Sequence, residues 1–222
     1  MEYELARTIT AQEYEDRMNG GWRKFGMLLF RPRCASCIAC RPIRVLADRF
    51  QPDRSQRRAI KRNADLTLEY GPPTVDKTRI ALYRRYHAAQ AIRKGWSTEE
   101  IDAEEYAFRF LHNSVPAVEI AVWEGQELCA IVLAEVTPSA ISGIYHYHDP
   151  ERLHRSLGTY VVLQTIELAR ELGKPYAYFG YYVAGCGSLE YKARFRPCEI
   201  LSANGVWLPF APQALPGASH SP

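Results

Sequence analysis

The sequence predicts a mixed α/β fold, and the order of its elements is the main evidence. Between residues 117 and 182, three strands are followed by a glycine turn, an apolar helix and one more strand. A strand, a helix and a second strand in this order form a βαβ unit, whose two strands lie parallel in one sheet. The composition agrees, because 47% hydrophobic and 24% charged residues are ordinary for a globular protein. A chain of 222 residues can bury a substantial core in one large domain or two small ones.

Capping, proline and alternation signals predict the elements of the first 70 residues. Thr10 and Glu13 form a capping-box pair, which starts a helix that runs to Met18 and ends before Gly20. Pro52 suits the first turn of a helix that runs to about residue 63. The other predicted elements are a turn at 22–26 and strands at 27–30, 43–45 and 66–70. We expect residues 1–70 to form a basic, cysteine-containing N-terminal module.

Residues 71–210 are predicted to form a second, larger domain. Its predicted elements are helices at 75–94 and 99–111, strands at 117–123 and 127–136, a strand that ends at His148, a helix after Tyr160 and a strand at 176–182. Glu124-Gly-Gln126 is typical of a hairpin, and Pro150 breaks the strand before the turn at 155–160. Residues 211–222 are mostly Pro, Gly, Ser and Ala with little to bury, which predicts a disordered tail.

Positive charge is concentrated in the N-terminal module. From Trp22 to Arg62 there are 12 basic and two acidic residues, whereas the rest of the chain has 16 basic and 23 acidic residues. The helix predicted at 52–63 presents five cations: Arg54, Arg57, Arg58, Lys61 and Arg62. Few acids flank this face to pair with it, and aromatic residues lie nearby in the sequence. Such a stripe suits contacts with RNA phosphates, and a solvated helix surface is the other interpretation.

Cysteine spacing leaves two interpretations open. Six cysteines in a chain of this length do not indicate a secreted disulfide scaffold. Three of them form the run Cys34-x-x-Cys37-x-x-Cys40, whose spacing lets neighbouring sulfurs converge on one zinc ion or iron–sulfur cluster. Three thiolates do not close such a site, so a fourth ligand would come from another cysteine or a histidine. Reduced structural thiols are the alternative, and no other cofactor is expected.

The sequence lacks signals for membrane insertion or secretion. No window approaches 18 apolar residues, and the acidic start Met1-Glu-Tyr-Glu4 lacks the basic and apolar character of a signal peptide. We therefore expect a cytoplasmic monomer without a membrane partner.

Two aromatic strands border the predicted βαβ crossover, Ile144-Tyr-His-Tyr-His-Asp149 and Tyr176-Ala-Tyr-Phe-Gly-Tyr-Tyr182. Ligands favour the crevice at the carboxyl ends of parallel strands. Phenols and imidazoles there can hydrogen-bond, stack and move protons, whereas a purely structural strand would carry Val or Ile. Tyr145, Tyr147 and Asp149 share one face of their strand and the two histidines the other, so both faces cannot be fully buried. The pattern predicts a functional crevice.

Two blocks of residues carry a resemblance to a known family. The C-terminal block comprises Tyr147, Asp149-Pro150, Ser156-Leu-Gly-Thr-Tyr160, Gly180-Tyr-Tyr182, Cys186, Glu190-Tyr-Lys192, Phe195 and Pro197. The N-terminal block comprises Gly21-Trp-Arg-Lys-Phe-Gly26 and Arg31-Pro-x-Cys34 through Arg41-Pro-x-Arg44. In this order, from about residue 14 to residue 207, they resemble the aminoacyl-tRNA–protein transferases, the arginyl and leucyl transferases of the N-degron pathway. That family has further cysteines before the first helix, and this chain has none before Cys34.

The resemblance implies an enzyme with a GNAT-like acyltransferase core that moves an amino acid from a charged tRNA to the N-terminal amine of proteins beginning with Asp or Glu. Leucine is the favoured amino acid, and arginine is the runner-up. The implied catalytic residues are Tyr147, Asp149, Tyr182, Glu190 and Lys192. Asp149, Glu190 or a tyrosine–water relay would take the proton of the amine, and Lys192 would meet negative charge. Besides the five cations of the 52–63 helix, the implied contacts with tRNA and substrate are Ser156, Leu157, Gly158, Thr159, Tyr160, Tyr181, Tyr191 and Arg194.

Two functions of other classes remain open from the residues. A CoA-dependent N-acyltransferase would share the core, and its pyrophosphate loop needs small residues so that backbone N–H groups can approach the phosphates. Tyr160 stands where that loop has Gly or Ala, which disfavours a CoA donor. A non-catalytic RNA-binding module would bind tRNA through the basic helix and would tolerate the loss of Lys192 and Tyr182.

Overall fold

The computed structural model describes residues 1–95 and 100–211, and these contain eleven strands and six α-helices. The strands are β1 (Glu2–Leu5), β2 (Arg23–Phe25), β3 (Leu28–Arg31), β4 (Arg41–Leu46), β5 (Thr67–Gly71), β6 (Ala117–Glu124), β7 (Glu127–Val136), β8 (Ala140–His148), β9 (Tyr176–Tyr182), β10 (Cys198–Leu201) and β11 (Trp207–Pro209). The helices are α1 (Ala11–Asn19), α2 (Arg54–Arg62), α3 (Lys77–Lys94), α4 (Ala103–Phe110), α5 (Leu157–Glu171) and α6 (Gly187–Glu190). Short 3-10 helices lie at Ala47–Arg49, Leu153–Arg155 and Tyr191–Arg194.

Eight strands form one mixed sheet in the order β11-β10-β4-β9-β8-β7-β6-β5. Its neighbouring strands are antiparallel except for β8 and β9, which are parallel and are connected through α5. The predicted run of three antiparallel strands, a helix and a parallel strand is therefore confirmed. The three remaining strands form a small sheet in the order β1-β3-β2.

Alternation along β7 divides the core between the two faces of the large sheet. Ala130, Val132 and Ala134 pack with the apolar side of α5 and with Ala59 of α2. The intervening residues of β7 belong to an aromatic cluster that α3 and α4 cover. Because successive side chains of a strand point to opposite faces, one strand serves both cores. A sheet with helices on both faces confirms the predicted α/β class.

The N-terminal residues are joined to the large sheet at several places. The strands β4 and β5, which begin before residue 70, belong to the eight-stranded sheet, where β4 lies between β9 and β10. A third cluster packs Tyr14 and Met18 of α1 against Tyr178 of β9. The large sheet therefore contains strands from both sides of the predicted domain boundary at residue 70. That boundary remains a prediction.

Several elements differ from the sequence-based expectation. The predicted turn at 22–26 is strand β2, which pairs with β3 as a hairpin. The strands β1, β10 and β11 were not predicted, because they are only three or four residues long and are held by antiparallel pairing with other strands, which a single-sequence pattern does not show. The predicted helix at 99–111 begins at Ala103, and its residue 99 lies outside the described residues. Of the tail predicted at 211–222, all residues after Ala211 also lie outside them.

Candidate active site

The candidate active site is a crevice between β8 and β9. Their parallel ladder joins Ala140, Ile141 and Ser142 to residues 176–178. Beyond that point β8 pairs with β7 as far as His148, while β9 pairs with β4 as far as the end of the strand. The two strands therefore diverge, which leaves backbone N–H and C=O groups on their facing edges for a ligand. The aromatic strands predicted a functional crevice at this place.

Lys192 lies at the open end of the crevice. Its Nζ donates a hydrogen bond to the carbonyl oxygen of Tyr181 at 2.9 Å. Gly180 adopts a left-handed φ of 75°, and a side chain there would come within 3.7 Å of Nζ. Burial, together with the charge of Arg23, lowers the pKa of Lys192 to about 8, and the nearby Cys186 acts in the opposite direction. Lys192 is therefore a half-buried amine that titrates near neutral pH.

Arg23 of β2 reaches the same end of β9 and is buried. One terminal nitrogen of its guanidinium donates to the carbonyl oxygen of Gly180 at 3.2 Å, and the other donates to that of Trp22 at 2.7 Å. The guanidinium carbon lies 5.0 Å from the ring centre of Tyr178 and 5.7 Å from that of Tyr181. Burial lowers the pKa of Arg23, and its neighbouring phenols act against that shift.

Two neutral histidines lie on β8 beside the crevice. Burial lowers the pKa of His146 to about 3 and that of His148 to about 4, with nearby cations adding to both shifts. In the part of the chain that the structure describes, Nδ1 of His148 is buried without a hydrogen-bond partner. A side chain at Gly158 would come within 3.2 Å of the His148 ring, so the small residue of the turn makes room for this imidazole.

The basic helix and the predicted turn form one surface. All five predicted cations of α2 are exposed. Arg62 donates to the hydroxyl oxygen of Ser156 at 3.0 Å, and the amide of Asn63 donates to the carbonyl oxygen of Arg155 at 2.8 Å. Ser156 has a left-handed φ of 55° and immediately precedes α5. The contacts from α2 therefore hold this strained residue at the start of the helix.

Residues 156–160 of the turn predicted at 155–160 are divided between surface and core. Ser156, Gly158 and Thr159 are partly exposed, whereas Leu157 and Tyr160 are buried against the sheet. The reason is that α5 begins at Leu157, so Leu157 and Tyr160, which are three positions apart, lie on the same face of the helix. Leu157 and Tyr160 thus pack the helix against the sheet. Ser156, Gly158 and Thr159 lie on the surface next to α2.

Two of the predicted catalytic residues are held away from the crevice by other partners. Tyr147 is fully buried in the aromatic cluster, and its hydroxyl lies 2.7 Å from that of Tyr106. Asp149 accepts hydrogen bonds from the backbone N–H of Glu151 at 3.0 Å and from Arg152 at 3.2 Å. Tyr147 therefore packs β8 against α3 and α4, and Asp149 fixes the turn after β8.

The remaining predicted residues lie near Lys192. The Tyr181 hydroxyl donates to the carbonyl oxygens of Gly21 and Phe30, which ties the end of β9 to the small sheet. Tyr182 is half-buried, and its ring centre lies 5.0 Å from that of Phe210. Three further predicted residues belong to the adjoining short helices: Glu190 and Arg194 are exposed, and Tyr191 is partly buried. Burial raises the pKa of Tyr181 and of Tyr191 to about 12.

The cysteine run gives no support for the predicted zinc ion or iron–sulfur cluster. Cys34, Cys37 and Cys40 are exposed and free. Within residues 1–95 and 100–211, no group of three His, Cys, Asp or Glu side chains is arranged to hold a metal ion. The spacing of the cysteines alone does not bring a complete ligand set together, because the loop before β4 leaves the thiols at the surface. The three cysteines instead line a groove of about 810 Å³ beside β10 and β11.

Comparison with known proteins assigns the family. A model of the N terminus of arginine-tRNA-protein transferase matches residues 1–58, and a model of its C terminus matches residues 78–202. The chain belongs to the arginine-tRNA-protein transferase family. The predicted enzyme class is therefore confirmed, and the CoA-dependent and non-catalytic alternatives are not favoured. No helix among the described residues of this transferase is long and apolar enough to cross a membrane.

Several curated relatives of this transferase are named aspartate/glutamate leucyltransferase. The protein from Chromobacterium violaceum is 34% identical over 91% of this chain and 82% of its own length. One from Stenotrophomonas maltophilia is 33% identical over 88% of this chain and 82% of its own, and one from Dinoroseobacter shibae is 34% identical over 85% and 69%. Among solved structures, FemX aligns with a TM-score of 0.51 at 12% identity over 78% of this chain and 60% of its own. That likeness concerns the fold alone, and it agrees with the predicted GNAT-like core.

Sequence reasoning missed two residues of this site, Arg23 and His148. Arg23 lies inside the segment Gly21-Trp-Arg-Lys-Phe-Gly26, which pointed to the family without assigning a role to the arginine. The alternation of β8 did place His148 opposite the tyrosines. What the sequence could not indicate is that Arg23 is buried next to Lys192 and that His148 is packed against the turn.

Proposed function

We propose that this transferase moves leucine from leucyl-tRNA to the N-terminal amine of proteins that begin with aspartate or glutamate. The observation that carries the proposal is the shared name of the relatives, which align over 85–91% of this chain. In the reaction the neutral amine attacks the ester carbonyl carbon, a C–N bond forms and the ester C–O bond breaks. The proton released by the amine ends on the ribose oxygen of the tRNA, so atoms and charges balance.

Donor binding is proposed for the surface formed by α2 and the start of α5. The five exposed cations of α2 suit the phosphates of the tRNA acceptor arm, since phosphate contacts position a nucleic acid without reading its sequence. Arg62 contacts Ser156 directly, so RNA bound on α2 continues toward the exposed residues of the turn, Gly158 and Thr159. We propose that these residues seat the terminal adenosine and direct the aminoacyl ester into the crevice.

The chemistry itself needs a positioned amine and a route for one proton. Lys192 is proposed to meet the side-chain carboxylate of the acceptor. Tyr182 is proposed to relay the proton from the amine to the leaving oxygen, and the exposed Glu190 is the alternative proton acceptor. Tyr191 and Arg194 would border the same end of the crevice.

A transfer assay tests the proposal. Labelled Leu-tRNA and Arg-tRNA are offered to the purified protein together with peptides that begin with Asp, Glu or Ala. We expect leucine on the Asp and Glu peptides and little label on the Ala peptide. Arginine as the preferred donor would refute the choice of leucine, and no transfer from either tRNA would refute the function.

Replacing Tyr182 by Phe tests the proposed reaction site in the same assay. The substitution keeps the ring against Phe210 and removes only the hydroxyl, so tRNA binding should be unchanged. Loss of a proton relay typically slows transfer by about 100-fold or more. Tyr176→Phe at the opposite end of β9 is the matched control and should transfer at the parental rate. A fully active Tyr182→Phe variant would refute the proton relay through Tyr182 and leave Glu190 as the candidate proton acceptor.

Charged tRNA and newly exposed protein N-termini meet in the cytoplasm, and we propose that this enzyme works there as a monomer. Donor surface and crevice are both built from one chain, so the proposed reaction needs no second copy. Size-exclusion chromatography with light scattering gives the oligomeric state, and a stable dimer as the active species would contradict this part.

A further inference from the structure

Two cations meet at the end of β9 without an acidic partner. Arg23 donates to the carbonyl oxygen of Gly180 and Lys192 donates to that of Tyr181, so neighbouring peptide groups bring the two side chains together. The positive charge of Arg23 also contributes to the lowered pKa of Lys192. Among the described residues, neither cation has a carboxylate within ion-pair distance. We call Arg23 and Lys192 the two-cation site.

Arg23 is the unusual member of the site. Its side chain is 5% exposed, and a buried charge is costly unless it is paired. Two of its five N–H bonds are satisfied by backbone carbonyls, and its buried Nε has no hydrogen-bond partner in the described chain. The rings of Tyr178 and Tyr181 offset part of the cost. No carboxylate of residues 1–95 or 100–211 forms an ion pair with this guanidinium.

Other buried cations of this protein do have acidic partners. Lys24, the next residue along β2, pairs with the buried Glu135, and Arg44 of β4 pairs with Glu199 at 2.7 Å. Arg79 of α3 pairs with Glu119 at 2.6 Å. Arg23 is thus an exception to the way this fold compensates buried positive charge. An anionic group of a ligand would give Arg23 the counter-ion that the other buried cations have.

The reaction offers two sources of anion, and their positions distinguish them. The tRNA phosphates are expected on α2, whose buried residue Ala59 packs with α5 in the cluster on one face of the sheet. Arg23 instead contacts Tyr178, which belongs to the cluster formed by α1 and the small sheet. Arg23 therefore approaches the crevice from the face of the sheet opposite to α2, whereas Ala193, next to Lys192, belongs to the cluster on the α2 side. A carboxylate of the acceptor is the anion that fits this position.

We propose that Arg23 is a specificity-determining residue, which together with Lys192 binds the side-chain carboxylate of the acceptor's first residue. The proposal rests on the proposed function and deepens it. Lys192 is the more exposed of the two cations that contact the carboxylate. Arg23 is buried, and it supplies a permanent positive charge and an Nε–H group that can donate a hydrogen bond. A neutral first side chain such as Asn would leave both cations uncompensated, so it would be rejected for an electrostatic reason and not for its shape.

The test compares Arg23→Met with Arg23→Lys on peptides that begin with Asp or with the nearly isosteric Asn. We expect Arg23→Met to lower kcat/KM for the Asp peptide by about tenfold or more, mainly through KM, and to leave the slow Asn reaction unchanged. Arg23→Lys keeps a charge and should retain most of the preference for Asp. Arg31→Met is the matched control, because Arg31 lies in the same small sheet but already pairs with Glu2.

The outcomes separate this inference from the proposed function. If the unchanged protein does not transfer leucine to the Asp peptide, the proposed function fails. If it does, and Arg23→Met slows the Asp and Asn peptides equally, Arg23 is structural and the inference is overturned.

A measurement on the unchanged protein covers the case in which Arg23→Met does not fold. The Nε–H resonance of Arg23 is followed by ¹⁵N NMR and assigned with Arg23→Lys. It should shift when the Asp peptide is added and stay in place with the Asn peptide. A resonance that does not respond to the Asp peptide would overturn the inference.

Discussion

Lys192 is an amine whose charge is set by its surroundings. The groups around Lys192 are Arg23, Cys186 and the carbonyl oxygen of Tyr181. The charge of Lys192 also contributes to the lowered pKa of His146 on β8. Burial and the cation outweigh the thiol, so the pKa is lowered to about 8. As the pH rises through 8, Lys192 loses the charge that we propose binds the acceptor carboxylate. The amine nucleophile, whose ordinary pKa is about 7.7 to 8.0, becomes reactive over the same range.

These opposing titrations predict a bell-shaped pH profile of kcat/KM for an Asp peptide, with its maximum near pH 8. Lys192→Arg keeps the charge at all accessible pH values, so its alkaline limb should disappear while the acidic limb stays. Initial rates are corrected for hydrolysis of the aminoacyl ester at each pH. An alkaline limb that persists unchanged in Lys192→Arg would show that another group is responsible for it.

At the residue scale, the motifs indicated candidate residues without indicating which of them are buried. Lys192 and Tyr182 were found from a motif and lie at the crevice, whereas Tyr147 and Tyr160 came from the same motifs and are core residues. A tyrosine suits a core and a site equally well, so its type does not decide between them. Arg23 could not have been singled out, because a missing ion-pair partner is visible only in three dimensions.

The basic face of α2 supports a prediction at the element scale. Reversing Arg57 and Arg58 to Glu should weaken tRNA binding and flatten its salt dependence, since each lost phosphate contact removes about one unit from the slope of log affinity against log salt. Both side chains are exposed, so the fold should tolerate the change. Arg62 is left intact because it also holds Ser156. Filter binding at several salt concentrations measures the slope.

A charge reversal of the same kind elsewhere provides the control. Lys77 is an exposed cation at the start of α3, and Lys77→Glu should leave the slope unchanged. If both variants lower the affinity equally and preserve the slope, α2 is a solvated helix surface and the RNA binds elsewhere.

Local signals identified most elements, and long-range pairing explains those they missed. The helices α1 and α2 begin at capping boxes that the structure contains, although the sequence pattern indicated only the first of them. The strands β6 to β9 are long enough for a strand pattern to be recognised in the sequence. The splay of β8 from β9 left no such signal, because it depends on β9 pairing with β4, more than 130 residues earlier. The existence of a crevice could thus be predicted from the βαβ order, but the divergence of the two strands that form it could not.

For the whole molecule, one buried ion pair joins the small N-terminal sheet to the large sheet. Lys24 of β2 contacts Glu135 of β7, and both side chains are almost completely buried. Lys24 also donates to the carbonyl oxygen of Gly26 at 3.0 Å and to Asn113. Burial raises the pKa of Glu135, and Lys24 acts against that shift. Because Arg23 precedes Lys24 on β2, this pair also anchors the strand that carries Arg23.

Breaking the pair on one side should therefore destabilise the protein more than removing both charges. Glu135→Gln leaves Lys24 buried without a counter-ion, which we expect to lower the free energy of unfolding by about 3 to 5 kcal/mol. The double variant Lys24→Met/Glu135→Leu replaces the pair with apolar groups and should recover most of that loss, because no charge remains uncompensated. Urea denaturation measures both, with removal of the exposed Arg170–Glu167 pair as a control that should cost less than about 1 kcal/mol. If the double variant were as unstable as Glu135→Gln, the pair would hold the two sheets by its specific hydrogen bonds, and charge compensation would not be the reason.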